Sequence, residues 1–193
     1  MSRVILSIAV LFFGLAVSPP TSAVMRSTFQ IQTGASMCTP STVSVDTAVR
    51  PRATGFGNEG DASVFVICTF GAPDGSTGMG TYQSGGVDWV YFTLKSLDGG
   101  EHTVTCTGVN SLEDGIVLGI SPPVYVTKNI IVNDTGRYGA FGTTIAWMPV
   151  DFTGDASDTV IPDASGAFSI TCLLPPNVSI KYGAIPSQQT LGP

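Results

Sequence analysis

The chain has 193 residues, with 8 Lys and Arg against 14 Asp and Glu and a formal net charge of −6. That length suits one domain with a full-sized core, and the acidity argues against a nucleic-acid partner, whose phosphates it would repel. Only 11% of residues are charged and Gly alone numbers 23, a composition that fits an exported β protein better than a helical one.

Residues 1–23 read as a secretory signal peptide. Arg3 supplies a positive start, and Val4 to Val17 is an apolar run interrupted only by Ser7 and Gly14. Ser18-Pro19-Pro20 stops any helix, because proline lacks a backbone donor and clashes with the preceding turn. Thr21-Ser22-Ala23 offers the small residues a signal peptidase needs, with cleavage after Ala23. The run falls short of the ~20 residues that span a bilayer, which disfavours the competing reading as an uncleaved anchor. Cleavage leaves residues 24–193 as a single domain, secreted or periplasmic, with no membrane span and one positive charge fewer.

Period-2 alternation marks the rest. Val43, Val45, Thr47 and Val49 alternate with polar or small residues. Val64, Val66, Cys68 and Phe70 share a face, as do Val90, Phe92 and Leu94 in residues 87–95. His102, Val104 and Cys106 follow, then Val124, Val126, Ile130 and Val132, then Phe141, Ile145 and Trp147 in residues 140–148. Phe168, Ile170, Cys172 and Leu174 precede the last set, Val178, Ile180 and Tyr182. One apolar and one wet face per strand is the mark of antiparallel sheets. Gly-, Pro- and Asp-rich loops separate these segments at Gly71–Gly86, Asn110–Pro123 and Pro149–Gly166. The expected fold is all-β: a two-sheet antiparallel sandwich of about eight strands, jelly-roll-like, with an immunoglobulin-like Greek key as the rival.

Four cysteines, Cys38, Cys68, Cys106 and Cys172, remain in the mature chain. An even count in an exported protein implies two disulfides. With no C-x-x-C pair and one histidine, a zinc site is disfavoured. Three pairings are open; Cys38–Cys68 with Cys106–Cys172 is the favoured one.

The closing run Phe168-Ser169-Ile170-Thr171-Cys172-Leu173-Leu174-Pro175-Pro176-Asn177-Val178-Ser179-Ile180-Lys181-Tyr182 resembles the last segment of small exported proteins of Gram-negative bacteria. Those have a signal peptide, an early cysteine, a hydrophobic-x-C strand and a final strand ending in C-x-L-P-P. The resemblance covers the cysteine framework and this segment. It implies a bacterial β-sandwich and carries no catalytic residues to transfer.

Chemistry is sparse. No G-x-S-x-G elbow exists, and a Ser–His–Asp triad would have to use His102, the single histidine, which reads better as structural. A glycosidase needs two carboxylates across a cleft; Glu59, Glu101 and Glu113 are the glutamates, and each reads as loop charge. Asp151, Asp155, Asp158 and Asp163 crowd one loop with Thr153 and Ser157, the hard-oxygen chemistry calcium takes, without EF-hand spacing. Asp151, Asp155 and Asp158 are the candidate metal residues; no other cofactor is indicated. In residues 87–95, Trp89, Tyr91, Thr93 and Lys95 fall opposite the apolar set. Trp89 and Tyr91 there form an amphipathic platform suited to stacking on a sugar ring, unless that face packs under the Gly71–Gly86 loop or against another sheet. Thr103, Thr105 and Thr107 make an outward row that β-propensity alone explains.

The reading favoured is an exported, non-catalytic binding or surface domain, with a polysaccharide or a surface protein as partner. The alternatives are a carboxylate-based polysaccharide hydrolase and a structural subunit of an extracellular assembly, which an unpaired apolar edge strand would favour.

Overall fold

The computed structural model describes residues 24–41, 48–70, 87–110, 122–133, 142–162 and 168–191. Residues 1–23, expected to be a signal peptide, most of the strand expected over 43–49, Glu113 and Asp163 lie outside them. Eleven strands run in chain order: β1 Val24–Thr33, β2 Cys38–Pro40, β3 Val49–Arg52, β4 Gly55–Asn58, β5 Val64–Phe70 and β6 Val90–Ser96. They continue with β7 His102–Val109, β8 Tyr125–Val132, β9 Thr143–Trp147, β10 Phe168–Leu174 and β11 Val178–Leu191. Two short helices interrupt them, α1 Gly34–Met37 and α2 Pro149–Thr153.

All strand pairings are antiparallel. One sheet, called A here, has the order β3-β4-β11-β6-β9, with β1 paired to the later part of β11; sheet B has β2-β5-β10-β7-β8. Taking β4 to β11 as eight successive strands, the orders β4-β11-β6-β9 and β5-β10-β7-β8 are those of a jelly roll, in which the chain alternates between two Greek-key sheets. The short β2 and β3 extend one end of each sheet. The segments expected from the sequence correspond to seven of these eight strands, β5 to β11; β1, β2 and β4 are missed, and the segment expected over 43–49 reaches only Val49 at the start of β3.

The core lies between the sheets. Phe92, Leu94, Val178 and Ile180 of sheet A and Val66, Val104, Ile170 and Leu174 of sheet B are fully buried. Burying each such side chain is worth about 1.5–3 kcal/mol relative to leaving it in water. Phe70 meets Phe92 across the sheets at 6.4 Å and Phe168 at 6.2 Å, edge to face. Trp147, fully buried on β9, donates its indole N–H to the Val126 carbonyl of β8 at 3.0 Å, tying the two sheets along one side. Gly108 on β7 makes that possible: a Cβ there would stand 2.8 Å from the Trp147 indole nitrogen. Asn58, also fully buried, bonds the Leu174 and Ala62 carbonyls at 2.9 Å each and accepts from the Gly60 N–H, so its burial is matched by hydrogen bonds.

Both disulfides, Cys38–Cys68 and Cys106–Cys172, sit in sheet B as cross-strand pairs of directly opposed residues. Their Cα separations of 4.0 and 4.1 Å come from neighbouring antiparallel strands, and their side chains point into the core. This is the favoured pairing of the sequence analysis.

Candidate functional site: the outer face of sheet A

Register settles which side chains leave the core. Opposed residues in an antiparallel pair share a face. Phe92 and Leu94 point inward, so Tyr91, Thr93 and Lys95 point outward, together with their partners Ala184, Tyr182 and Ser179 on β11. Trp89, just before β6, continues this outward set. On β1, Phe29, Ile31 and Thr33 oppose Pro186, Ala184 and Tyr182, which places them on the same face.

Four aromatic rings meet there. Trp89 and Tyr91 stack at 4.9 Å with an interplanar angle of 24°. Phe29 stands 6.2 Å from each, and Tyr182 meets Tyr91 edge-on at 6.1 Å. Ala184 beneath them is fully covered. Trp89 and Tyr91 are half-buried, whereas Phe29 is 51% and Ile31 61% exposed. The rings thus form a ridge standing up from the sheet, with the Trp89 and Tyr91 faces turned toward each other. Burial and the nearby Tyr182 hydroxyl push the Tyr91 phenol up. Sequence reasoning found Trp89 and Tyr91 and missed Phe29 and Tyr182. Phe29 reaches the cluster through the pairing of β1 with β11, and Tyr182, expected on the face of Val178 and Ile180, through the pairing of β11 with β6 and the irregularity after Ile180 that turns it outward; neither has a local signal.

The face continues from the ridge to hydroxyls and then to cations. Thr93 bonds Thr144 of β9 at 3.3 Å. Beyond them Ser179 is flanked by Lys95 on β6 and, across Gly57, by Arg50 on β3. Lys181 occupies the irregularity in β11 between Ile180 and Tyr182. Its ammonium is held below its ordinary value, first by burial and then by repulsion from Lys95. Arg52 pairs with Glu59.

The Asp-rich segment takes a different form from a metal loop. Asp151 sits in α2, where its carboxylate accepts the Met148 N–H and the Lys128 ammonium, both at 2.6 Å. This is the reach-back of a third-position acid to the residue capping a helix, and Pro149 at the helix start and left-handed Gly154 at its end complete the element. Asp155 accepts from the Ser157 N–H and hydroxyl at 2.8 and 2.7 Å, the backbone bond being the first cause of its lowered pKa. Among the described residues, no three His, Cys, Asp or Glu side chains come together to hold a metal ion, Asp151, Asp155 and Asp158 included.

His102 contacts Asp98 at 2.8 Å. Asp98 is held well below the usual carboxylate range by that bond first, then by the Gly100 N–H and the Ser96 hydroxyl. The carboxylate lies between the serine and the histidine, whereas a nucleophilic triad requires the histidine in the middle. Of the glutamates a hydrolase would draw on, Glu59 is engaged by Arg52 of sheet A and Glu101 is exposed ahead of β7 in sheet B.

No family model and no curated protein matches the chain. Among solved structures, it is similar to the VP1 pentamer proteins of Human Polyomavirus 7 and Human Polyomavirus 6. The identities are 8% and 9%, over 87% and 91% of this chain and 95% and 98% of theirs, with TM-scores of 0.30 and 0.28. Scores that low carry no conclusion; the jelly roll is assigned from this chain's own strand order.

Proposed function

We propose that this protein is an exported, non-catalytic binding domain that contacts carbohydrate through the aromatic ridge of sheet A. One observation carries the reading: Phe29, Trp89, Tyr91 and Tyr182, drawn from three parts of the chain, gather on the face turned away from the core. Aromatic side chains brought together outside a core, with Phe29 and Ile31 exposed beside them, offer the amphipathic surface that the apolar faces of sugar rings pack against. The two disulfides, the leader-like residues 1–23 and the resemblance of the closing segment to exported bacterial proteins support export. No helix among the described residues is long and apolar enough to cross a membrane.

The test is retention of residues 24–193 on a panel of insoluble polysaccharides. Retention is expected, with loss in both Trp89→Ala and Phe29→Ala. Phe29→Ala should leave thermal unfolding unchanged because that ring is largely in solvent. No retention on any polysaccharide would sink the reading.

A second reading, a subunit of an extracellular assembly, draws on β8. Among the described residues it ends sheet B with β7 as its one neighbour, and Tyr125 and Ile131 are 62% and 53% exposed. Such an edge can recruit another chain. Trp147 and Lys128 clasp its middle, which leaves the flanks as the contact. Concentration-dependent self-association, abolished by Ile131→Lys, would favour this reading over the first.

A further inference from the structure

Charge is segregated in this molecule. Among the described residues, all eight acidic side chains fall outside the strands, whereas the strands of sheet A contain Arg26, Arg50, Arg52, Lys95 and Lys181, five of the eight cations of the chain. A protein with a sequence pI near 4.4 therefore builds one sheet with basic residues and no acidic ones.

Register brings Arg50, Arg52 and Lys95 to one end of the outer face, and Lys181 adjoins them in the irregularity of β11. Arg50, Gly57, Ser179 and Lys95 form a row across four strands, and Arg52 opposes Gly55 next to it. Both outward positions of β4 are thus glycine. Gly55 is demanded by the backbone: its φ is +141° and a Cβ would stand 2.2 Å from the Ile180 carbonyl oxygen. Gly57 is not, since a Cβ there would meet only Leu97 and Ser179 at 3.8 Å, ordinary contact. A position without a side chain thus separates Arg50 from Lys95 in the row, and Gly57 itself is buried. Arg52 is the cation with a counter-charge, Glu59, and its Nε is buried without a hydrogen-bond partner among the described residues. No carboxylate among the described residues pairs with Arg50, Lys95 or Lys181. Lys95 and Lys181 instead repel one another across a partly desolvated surface.

Like charges held together without counter-ions lower stability, and an anion laid along them would reverse the sign of that interaction. The aromatic ridge lies on the same face: at about 3.3 Å per residue, Trp89 and Lys95 are about 20 Å apart along β6. We propose that the ligand of this face is an acidic polysaccharide, its sugar faces packed on the aromatic ridge and its carboxylate or sulfate groups met by Arg50, Lys95 and Lys181. The inference rests on the carbohydrate reading above and adds the ligand's charge.

The experiment compares the binding of residues 24–193 to alginate, polygalacturonate and dextran sulfate with binding to cellulose and unsulfated dextran, at low and high salt. The acidic polymers are expected to bind at least about tenfold more tightly at low salt and to lose that margin at high salt. Lys95→Gln with Lys181→Gln, and separately the exposed Arg50→Gln, should each remove most of the margin. The two-lysine variant should melt no lower than the wild type, so loss of binding cannot be ascribed to unfolding. Equal, salt-insensitive binding to neutral and acidic polymers, lost in Trp89→Ala, would overturn this inference and leave the sugar-binding reading standing. Absence of binding to every polysaccharide would overturn both. Preference for anionic lipid vesicles over the acidic polymers would show a membrane-facing surface and also overturn the inference.

Discussion

The two sheets solve different problems. Sheet B holds all four cysteines as two cross-strand bridges, and the outer face of its strands carries no acidic or basic side chain: Lys128 and His102 fall at positions of inward register. Its outward threonines are satisfied by their neighbours, Thr105 donating to Asn129 at 2.7 Å and Thr107 bonding Thr127 at 2.8 Å. Sheet A has no covalent staple. It displays stacked aromatics and cations that repel one another, features that add little to folding. On the reading proposed above, the difference places stability and recognition on opposite faces of one core. Covalent and packing interactions are concentrated in sheet B and between the sheets, while the outer face of sheet A tolerates groups whose role lies outside the fold.

Four experiments would break or sharpen that contrast. The largest effect belongs to sheet B. Replacing Cys106 and Cys172 by Ala should cost about 4 kcal/mol and replacing Cys38 and Cys68 slightly less, in the order of their sequence separations of 66 and 30 residues. Urea unfolding of the two paired variants measures this; equal or negligible losses would mean the bridges do not restrain the unfolded chain as loop closure requires. Next is the inter-sheet contact at Gly108. Gly108→Ala drives a methyl group into the Trp147 ring and should cost about 1–3 kcal/mol by overpacking, with a change in tryptophan fluorescence. A neutral result would show that β7 and β9 can separate freely.

Sheet A should respond in the opposite sense. Phe29→Ala is expected to change unfolding free energy by no more than about 0.5 kcal/mol, as for other exposed substitutions, while binding is lost. A large destabilisation would show that the ridge belongs to the fold. The smallest effect concerns Asp98, whose folded pKa lies below its ordinary value of 3.8. A carboxylate shifted down stabilises the folded state above that ordinary value, and the contribution disappears as pH falls through the lowered folded value. Asp98→Asn should therefore be less stable than the wild type near neutral pH, with the difference closing in strong acid. Melting curves across the acid range would show parallel profiles if the carboxylate contributes nothing.

Much of this protein follows from local pattern. Alternation of apolar and polar residues identifies β5 to β11, because a half-buried strand exposes every second side chain whatever its partner. Cysteines at inward-facing positions announce disulfides for the same reason, and the split of residues 89–95 into Val90, Phe92 and Leu94 against Trp89, Tyr91 and Lys95 is legible before any sheet is drawn. Other elements leave no such trace. In β4, Gly55-Phe56-Gly57-Asn58 has no period to read, and all four residues are buried because neighbouring strands and loops cover them. In β3, Pro51 reads as a breaker, yet the strand pairs only with β4, on the edge where proline is tolerated. Asp151 reads as a metal ligand by composition and is a helix-capping acid by geometry. The aromatic and cationic face of sheet A is itself a product of tertiary structure. Phe29 meets Trp89, and Arg50 aligns with Lys95, only because the long β11 pairs with β1, β4 and β6. The sequence determines which side chains leave the core strand by strand; which of them become neighbours depends on strand order and register, and these are set by non-local pairing.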